Sequence, residues 1–309
     1  MNIIKDIFTY SFFDAIVRMA TPLVMASLAA YIAASTGIGN IAVEGVMCFA
    51  ALFAILGSYW TQSAILGLLI GLTMGIVTAL IIAFFSMKLG ATATMVGIAL
   101  NTFADSLATF FLYIFANSKG SSSALKTPTL GKIDIPFIKD IPVLGQLISG
   151  KYVLTYVAVI VIIITYILLF KTPLGMRMRA CGLNADAAKT AGISVSKLQL
   201  FSLILSGFFA AIGGTFMSIN YLRIYSAGMT SGFGWMGIAA NGVCNGSFSM
   251  LMIIASVFAV FRAFSVSFMT NPNFPTELIG AIPYFAVFVI LTVLAISSYR
   301  RKKKGLIKE

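Results

Sequence analysis

Apolar residues run along this chain in long blocks rather than in alternating stripes. Nine blocks stand out, at about 19–35, 41–58, 63–87, 92–116, 152–170, 198–219, 233–246, 249–268 and 278–298. A hydrocarbon core about 30 Å thick takes roughly 20 helical residues to cross, so the blocks predict membrane-crossing helices. A transmembrane barrel would alternate apolar and polar positions over segments of about ten residues, and nothing here does so. The expected fold is all-α, a polytopic transmembrane helical bundle of about nine segments, within a range of eight to ten. The block at 233–246 is short and holds Gly234, Gly237, Gly242 and Gly246, which predicts a half-span or broken helix. Such breaks are tolerated only inside protein. Residues 1–18 mix Ile3, Ile4, Ile7, Phe8, Phe12 and Phe13 with Lys5, Asp6, Asp14 and Arg18, a composition suited to an interfacial helix. The organisation expected is therefore an N-terminal interfacial segment at 1–18, a transmembrane domain at 19–298 and a basic tail at 299–309.

Composition agrees with the pattern: 60% of residues are hydrophobic and 10% charged, against about 25% charged in an ordinary soluble domain. The formal charge of +12 comes from 21 Lys and Arg against 9 Asp and Glu. Its distribution orients the bundle. Arg300, Arg301, Lys302, Lys303, Lys304 and Lys308 crowd the tail, and Lys171, Arg177, Arg179, Lys189 and Lys197 crowd the loop at 171–197. Both are expected on the cytoplasmic side, where basic residues collect. Four blocks lie between them, an even number, so the two assignments agree. Residues 117–151 then form an extracytoplasmic loop, and nine crossings place the N-terminus outside. No basic stripe interleaved with aromatics forms a soluble face, so no nucleic-acid partner is expected.

The chemistry available is narrow. There is no histidine, and Cys48, Cys181 and Cys244 have no metal or redox spacing, so neither a metal site nor a cofactor is expected. The first 20 residues lack the pattern of a cleaved leader, and none is expected. Polar groups inside the apolar blocks are the candidates that remain. MVGIALN at 95–101 recurs as WMGIAAN at 235–241, both containing Gly-Ile-Ala-x-Asn. In the nine-span scheme the copies point in opposite directions, as an inverted repeat requires, and transport sites lie at repeat interfaces. Asn101 and Asn241 are therefore candidate translocation-pathway residues, or else ordinary interhelical glue. Glu44, Asp105 and Arg262 are ionisable groups in or near apolar blocks, where an unpaired charge costs about 2.5–3.5 kcal/mol. Asp105 shares a helix face with Asn101 and is placed beside it in the pathway. Glu44 is either a further pathway residue or a structural cap, and Arg262 is expected to pair with Asp105 or Glu44. Phe103, Phe110, Phe233 and Trp235 could stack on a base or sugar, or simply pack.

The loop at 171–197 spells a compact fold. Asn184 is a good N-cap, Asp186 complements the positive helix end, Ala185 to Ala191 favour helix, and Gly192 supplies a left-handed stop. Ser196 with Gln199 reads as a capping box for the next span. Ala187, Ala188 and Ala191 leave room for a partner surface to approach.

The string Gly175, Arg179, Ala180, Gly182, Asn184, Ala187, Ala188, Gly192, Ile193, followed by Ser206, Gly207, Ala210, Gly213 and Gly214, resembles the cytoplasmic-loop signature of permeases of ABC importers. The group it is similar to serves branched-chain amino acids, ribose-type sugars and nucleosides. Thr36, Gly37, Asn40, Glu44 and Gly45, and then Gly97, Ile98, Ala99 and Asn101, match further stretches in the same order. The resemblance is strongest to nucleoside or simple-sugar permeases. It implies a coupling helix around Gly182, Asn184, Asp186, Ala187, Ala188, Ala191 and Gly192 that sits in a groove of a cytoplasmic ABC ATPase. It further implies a second permease subunit in a heterodimer, an extracellular solute-binding protein, a small polar substrate such as a nucleoside, and a bacterial cell membrane location. No GxxxxGK[ST] occurs, so ATP hydrolysis is expected in a separate subunit. An ion-coupled secondary transporter is the alternative. An intramembrane enzyme finds no HExxH or GxSxG motif to support it.

Overall fold

Helices form where the apolar blocks predict them. The computed structural model describes residues 10–133, 149–269 and 280–289, together with 292 and 296. Its helices are α1 (Tyr10–Ala34), α2 (Val43–Thr61), α3 (Ala64–Ala83), α4 (Ala93–Ala116), α5 (Val153–Lys171), α6 (Pro173–Leu183), α7 (Ala185–Thr190), α8 (Val195–Thr215), α9 (Phe233–Val243), α10 (Phe248–Met269) and α11 (Gly280–Val289). Two of them end in π-helical turns, α3 at Phe84–Lys88 and α8 at Phe216–Leu222. A ladder of two-residue strands, Lys132–Ile133 against Lys151–Tyr152 in antiparallel register, is the only sheet among the described residues.

Among the described residues seven helices are long and apolar enough to cross a membrane: α1, α2, α3, α4, α5, α8 and α10. The glycine-rich block forms α9, whose 11 residues span about 16 Å, half a hydrocarbon core. Block 278–298 is described as α11 and two further residues only. The tail at 299–309, residues 1–9 and residues 134–148 lie outside the described residues. Two local expectations change. The boundary at residue 18 falls inside α1, which runs unbroken from Tyr10. The capping box at Ser196 does not form either. Helix α8 starts at Val195 after Ser194, with no side-chain cap, and Gln199 Nε2 instead lies 3.5 Å from Thr36 O.

The bundle has an inner and an outer layer. Helices α1, α2 and α8 are mostly buried along their spans, whereas less than half of α3, α4, α5 and α10 is covered, α4 and α5 least of all. Small residues bring the layers together. A Cβ built on Gly67 would sit 2.6 Å from Ala54 O, and one on Gly71 would sit 2.7 Å from Ala50 O, so α3 lies backbone to backbone on α2. Gly75 and Gly207 face each other across α3 and α8, each Cβ position within 2.6 Å of the other's carbonyl oxygen. Within lipid no hydrophobic force draws helices together, so this close fit supplies the attraction.

Contacts define the two ends of the bundle. At one end Lys151 Nζ pairs with Asp14 at 2.7 Å, Ser58 Oγ donates to Pro128 O at 2.6 Å, and Ser122 N donates to Tyr225 O at 2.8 Å. At the other, Gly37 meets Gly182 and Tyr31 Oη donates to Gly246 O at 2.7 Å. The described part of 117–151 and the loop at 171–197 thus lie at opposite ends.

Replacing Gly207 with Val forces a branched side chain into the α3 carbonyl. The expected result is a loss of about 2 kcal/mol or more in stability, read as a lower melting temperature and less monodisperse protein in detergent. Gly242→Val, at a position with open space around its Cβ, should leave both unchanged.

Candidate translocation pathway and coupling surface

The connection between α1 and α2 turns back into the bundle and is held there by hydroxyls of α8. Thr36 Oγ1 and Ser202 Oγ share a hydrogen bond at 2.7 Å. Asn40 Nδ2 donates to Ser206 Oγ at 2.8 Å, and Ser206 Oγ donates in turn to Ala29 O at 2.6 Å. Asn40 Oδ1 accepts from Ala42 N at 2.9 Å.

This route delivers the start of α2 to a buried position where its free amide groups cannot reach water. Asn101, from α4, meets the need. Its Oδ1 accepts from Gly45 N at 2.7 Å and its Nδ2 donates to Ile41 O at 2.9 Å. The close approach requires glycine, since a Cβ on Gly45 would lie 2.9 Å from Asn101 Oδ1.

One residue back, Glu44 performs the same service for α9. Its two carboxylate oxygens accept from Gly232 N at 2.9 Å and Gly234 N at 2.6 Å. Gly232 adopts φ +80, which glycine reaches without strain, and this aims both amides at the carboxylate. A negative charge against the positive end of a helix is favourable, more so where water is scarce. Asn101 and Glu44 therefore use their polar atoms as caps.

Arg262 takes neither of its expected partners: among the described residues no ion pair joins it to Asp105 or Glu44. Its guanidinium lies 4.9 Å from the Phe233 ring centre, and Nη2 points at Ser231 O at 3.4 Å. Tyr284 Oη donates to that same carbonyl at 2.7 Å. Helices α2, α10 and α11 thus converge on the turn that starts α9. The expected pair fails because Glu44 is already engaged by backbone amides and Asp105 lies on another face.

Asp105 sits one turn beyond Asn101 on the uncovered side of α4, with Thr102 and Ser106 also exposed and Thr109 half-buried. Nearby, the buried Cys48 Sγ and Tyr225 Oη are 3.1 Å apart. Neither of those two partners was singled out from sequence. Phe103, Phe110 and Trp235 are exposed, while Phe233 is buried. Asn241 is separate from the other polar residues. It lines a cleft of about 540 Å³ at the end of the bundle that carries the loop at 171–197, together with Tyr31, Ser35, Arg179, Leu183 and Asn245. The two Gly-Ile-Ala-x-Asn copies thus share close glycine packing, Gly97 on Ala42 and Gly237 on Ala26, but their asparagines differ in use.

The loop at 171–197 holds two short helices. Thr172 Oγ1 accepts from Gly175 N at 3.2 Å to start α6, and Asn184 Oδ1 accepts from Ala187 N at 3.0 Å to start α7. Gly192, at φ +81, closes α7 with Ile193 N donating to Ala188 O and Gly192 N donating to Lys189 O, both at 3.0 Å, a Schellman ending. Ala188 turns inward, whereas Asp186, Ala187 and Ala191 are exposed. Gly182 joins this knuckle to the bundle: its Cβ position lies 2.5 Å from Ser35 O. A continuous set of contacts thus runs from α7 through Gly182 and Ser35 to Asn40, Glu44 and the start of α9.

A polytopic bundle with a half-length helix capped inside it, and a rigid knuckle at one end, defines a membrane transport subunit. The chain belongs to the family described as branched-chain amino acid transport system / permease component, which matches residues 12–297. It is a multi-pass membrane protein and a permease subunit of an ABC transporter. The guanosine ABC transporter permease protein NupQ of Bacillus subtilis is 30% identical over 228 residues, 72% of this chain and 71% of that protein. The nucleoside ABC transporter permease protein NupC of Lactococcus lactis is 25% identical over 93% of this chain and 92% of that one. The glucose ABC transporter permease protein TsgB13 of Haloferax volcanii is 26% identical over 93% and 77%. Among solved structures, PsaBC from Streptococcus pneumoniae shares the fold with a TM-score of 0.53 at 12% identity, over 92% of this chain and 91% of that chain.

Glu44→Ala removes the acceptor of two buried amides and should cost about 1–3 kcal/mol, visible as a lower melting temperature. Glu44→Gln, which keeps one acceptor oxygen, should lose less, and Asn101→Ala about 1 kcal/mol. Equal melting temperatures for all three variants and the wild type would remove the capping roles.

Proposed function

We propose that this chain is the path-forming subunit of an ATP-driven importer for nucleosides, working beside a second, unlike permease. A cytoplasmic ABC ATPase would drive it, and an extracellular solute-binding protein would deliver the cargo. The observation that carries the reading is the chain of contacts from α7 to the start of α9. Closure of an ATPase against the exposed face of α7 would push on Gly182 and Ser35, and through Asn40 and Glu44 on the half-helix. ATP hydrolysis takes place in the partner, and this chain contributes movement and a path.

The path itself is assigned to the uncovered face of α4. A carboxylate facing lipid there would cost about 2.5–3.5 kcal/mol, so Asp105 with Thr102 and Ser106 must face water or another protein. A nucleoside or sugar, rich in hydroxyls, suits that lining. Asn101 and Glu44 hold the helix ends that border the path, and Asn241 stands at its cytoplasmic mouth. The guanosine and nucleoside permeases among the relatives favour a nucleoside. The glucose permease keeps a simple sugar as the second reading. Family membership sets aside the ion-coupled alternative.

Tagged protein from its host's membranes should bring down an ATPase, and Ala187→Asp with Ala191→Asp should abolish that capture while leaving the melting temperature unchanged. A folded wild type that never brings an ATPase with it would overturn the coupling assignment. In cells expressing the whole transporter, Asp105→Leu should lower uptake of labelled guanosine about tenfold or more with assembly intact. Uptake that unlabelled glucose competes away, and guanosine does not, would move the substrate to sugars.

A further inference from the structure

The cleft that holds Asn241 also holds a cation, Arg179, that the transport reading does not use. Arg179 projects from α6 into its wall. The guanidinium stacks at 4.8 Å from the Phe170 ring centre, and its buried Nε has no hydrogen-bond partner. Among the described residues no carboxylate lies within ion-pair distance of it, and no Asp or Glu lines the cleft. Asn241 and Asn245 line the same space, and so does Ser35, whose hydroxyl is engaged, donating to Ile32 O at 2.7 Å. Tyr31 is already engaged, donating to Gly246 O. A cation with a stacked back, two carboxamides and no counter-charge is a receptor for an oxyanion.

We propose that this cleft binds a phosphoryl anion, and that the head group of an anionic phospholipid supplies it. Three features favour the lipid. The cleft lies at the end of the bundle that carries the basic loop, the end that positive-inside charge places in the anionic leaflet. Its volume of about 540 Å³ exceeds what a bare phosphate fills and suits a phosphoglycerol group. Its rim carries Leu183, 89% exposed, and exposed Met176 lies about two turns earlier on the same face of that helix, an apolar surface for the first carbons of an acyl chain. A head group seated between α6 and the turn after α9 would bridge the knuckle and the half-helix. The affinity between the ATPase-facing loop and the bundle would then depend on lipid composition. The inference is independent of which solute is carried.

The test uses the full chain purified into nanodiscs of phosphatidylcholine alone or with phosphatidylglycerol, and into detergent with or without inorganic phosphate. Bound lipid is counted by native mass spectrometry and melting temperature is followed. Wild type should retain phosphatidylglycerol and melt higher in its presence. Arg179→Gln should weaken retention about tenfold, while Arg177→Gln, the same charge change two residues away on the same helix, should retain lipid like wild type. Inorganic phosphate that stabilises wild type and displaces the lipid, with both effects lost in Arg179→Gln, would make soluble phosphate a competing source at the same site. Should Arg179→Gln not fold, Asn245→Asp keeps the left-handed preference of that position and adds a repelling charge, and must show the same loss. Equal retention by folded Arg179→Gln and wild type, or equal loss in Arg177→Gln, would overturn the proposal.

Discussion

A helix that begins inside a bilayer leaves backbone N–H groups with no water to satisfy them, and each such group costs several kcal/mol. This bundle starts two helices in that way, and their solutions are linked. Asn101 of α4 serves the start of α2, and Glu44, in the first turn of α2, serves the start of α9. Neither cap can shift alone. Moving α2 away from α4 would strip Gly45 of its acceptor, and moving α9 away from α2 would strand a carboxylate beside two bare amides. The three helices therefore have a discrete arrangement, and an alternative arrangement must re-form the caps elsewhere.

The two most exposed span-length helices differ in a way that gives each a place. Helix α5 shows Val159, Ile160, Ile163, Ile164 and Ile167 on its outer side, branched aliphatic groups that match lipid tails. Helix α4 shows Ile98, Phe103 and Phe110 interleaved with Thr102, Asp105 and Ser106. Similar exposure in the isolated chain thus corresponds to different surroundings. Lipid suffices for α5, and α4 needs something polar.

Much of the fold was legible because the signals were local. Length and apolarity located the spans, and the glycines of 233–246 announced a short helix. Asn184 and Gly192 mark the two ends of α7 because each acts within its own turn. Helix α6 was missed, although Thr172 followed by Pro173 is a start signal of the same kind. Its mixed sequence, LGMRMRACGL after the proline, carries no apolar stripe to draw notice. The role of Asn101 was not legible, since its partners Ile41 and Gly45 are 60 and 56 residues away and nothing in MVGIALN names them. The capping box at Ser196 misled because a four-residue motif cannot tell that Ser194 already stands at the helix start. Arg262 misled for a similar reason. Counting charges suggested a carboxylate partner, whereas an aromatic ring and a carbonyl surround it.

The mutual contact of Gly75 and Gly207 bears on how such a chain tolerates change in length. One residue inserted into α3 or α8 would rotate everything beyond it by about 100° and bring a side chain to a contact that has no room for one. The spacing between the glycines and their helix ends is thus fixed as firmly as their identity, whereas the stretch around Lys126 at the far end of the bundle is held only on either side, by the hydrogen bonds of Ser122 and Pro128. Insertions and deletions that accumulate in such a chain should fall there, and a reporter or purification handle grafted into it would disturb the moving parts least.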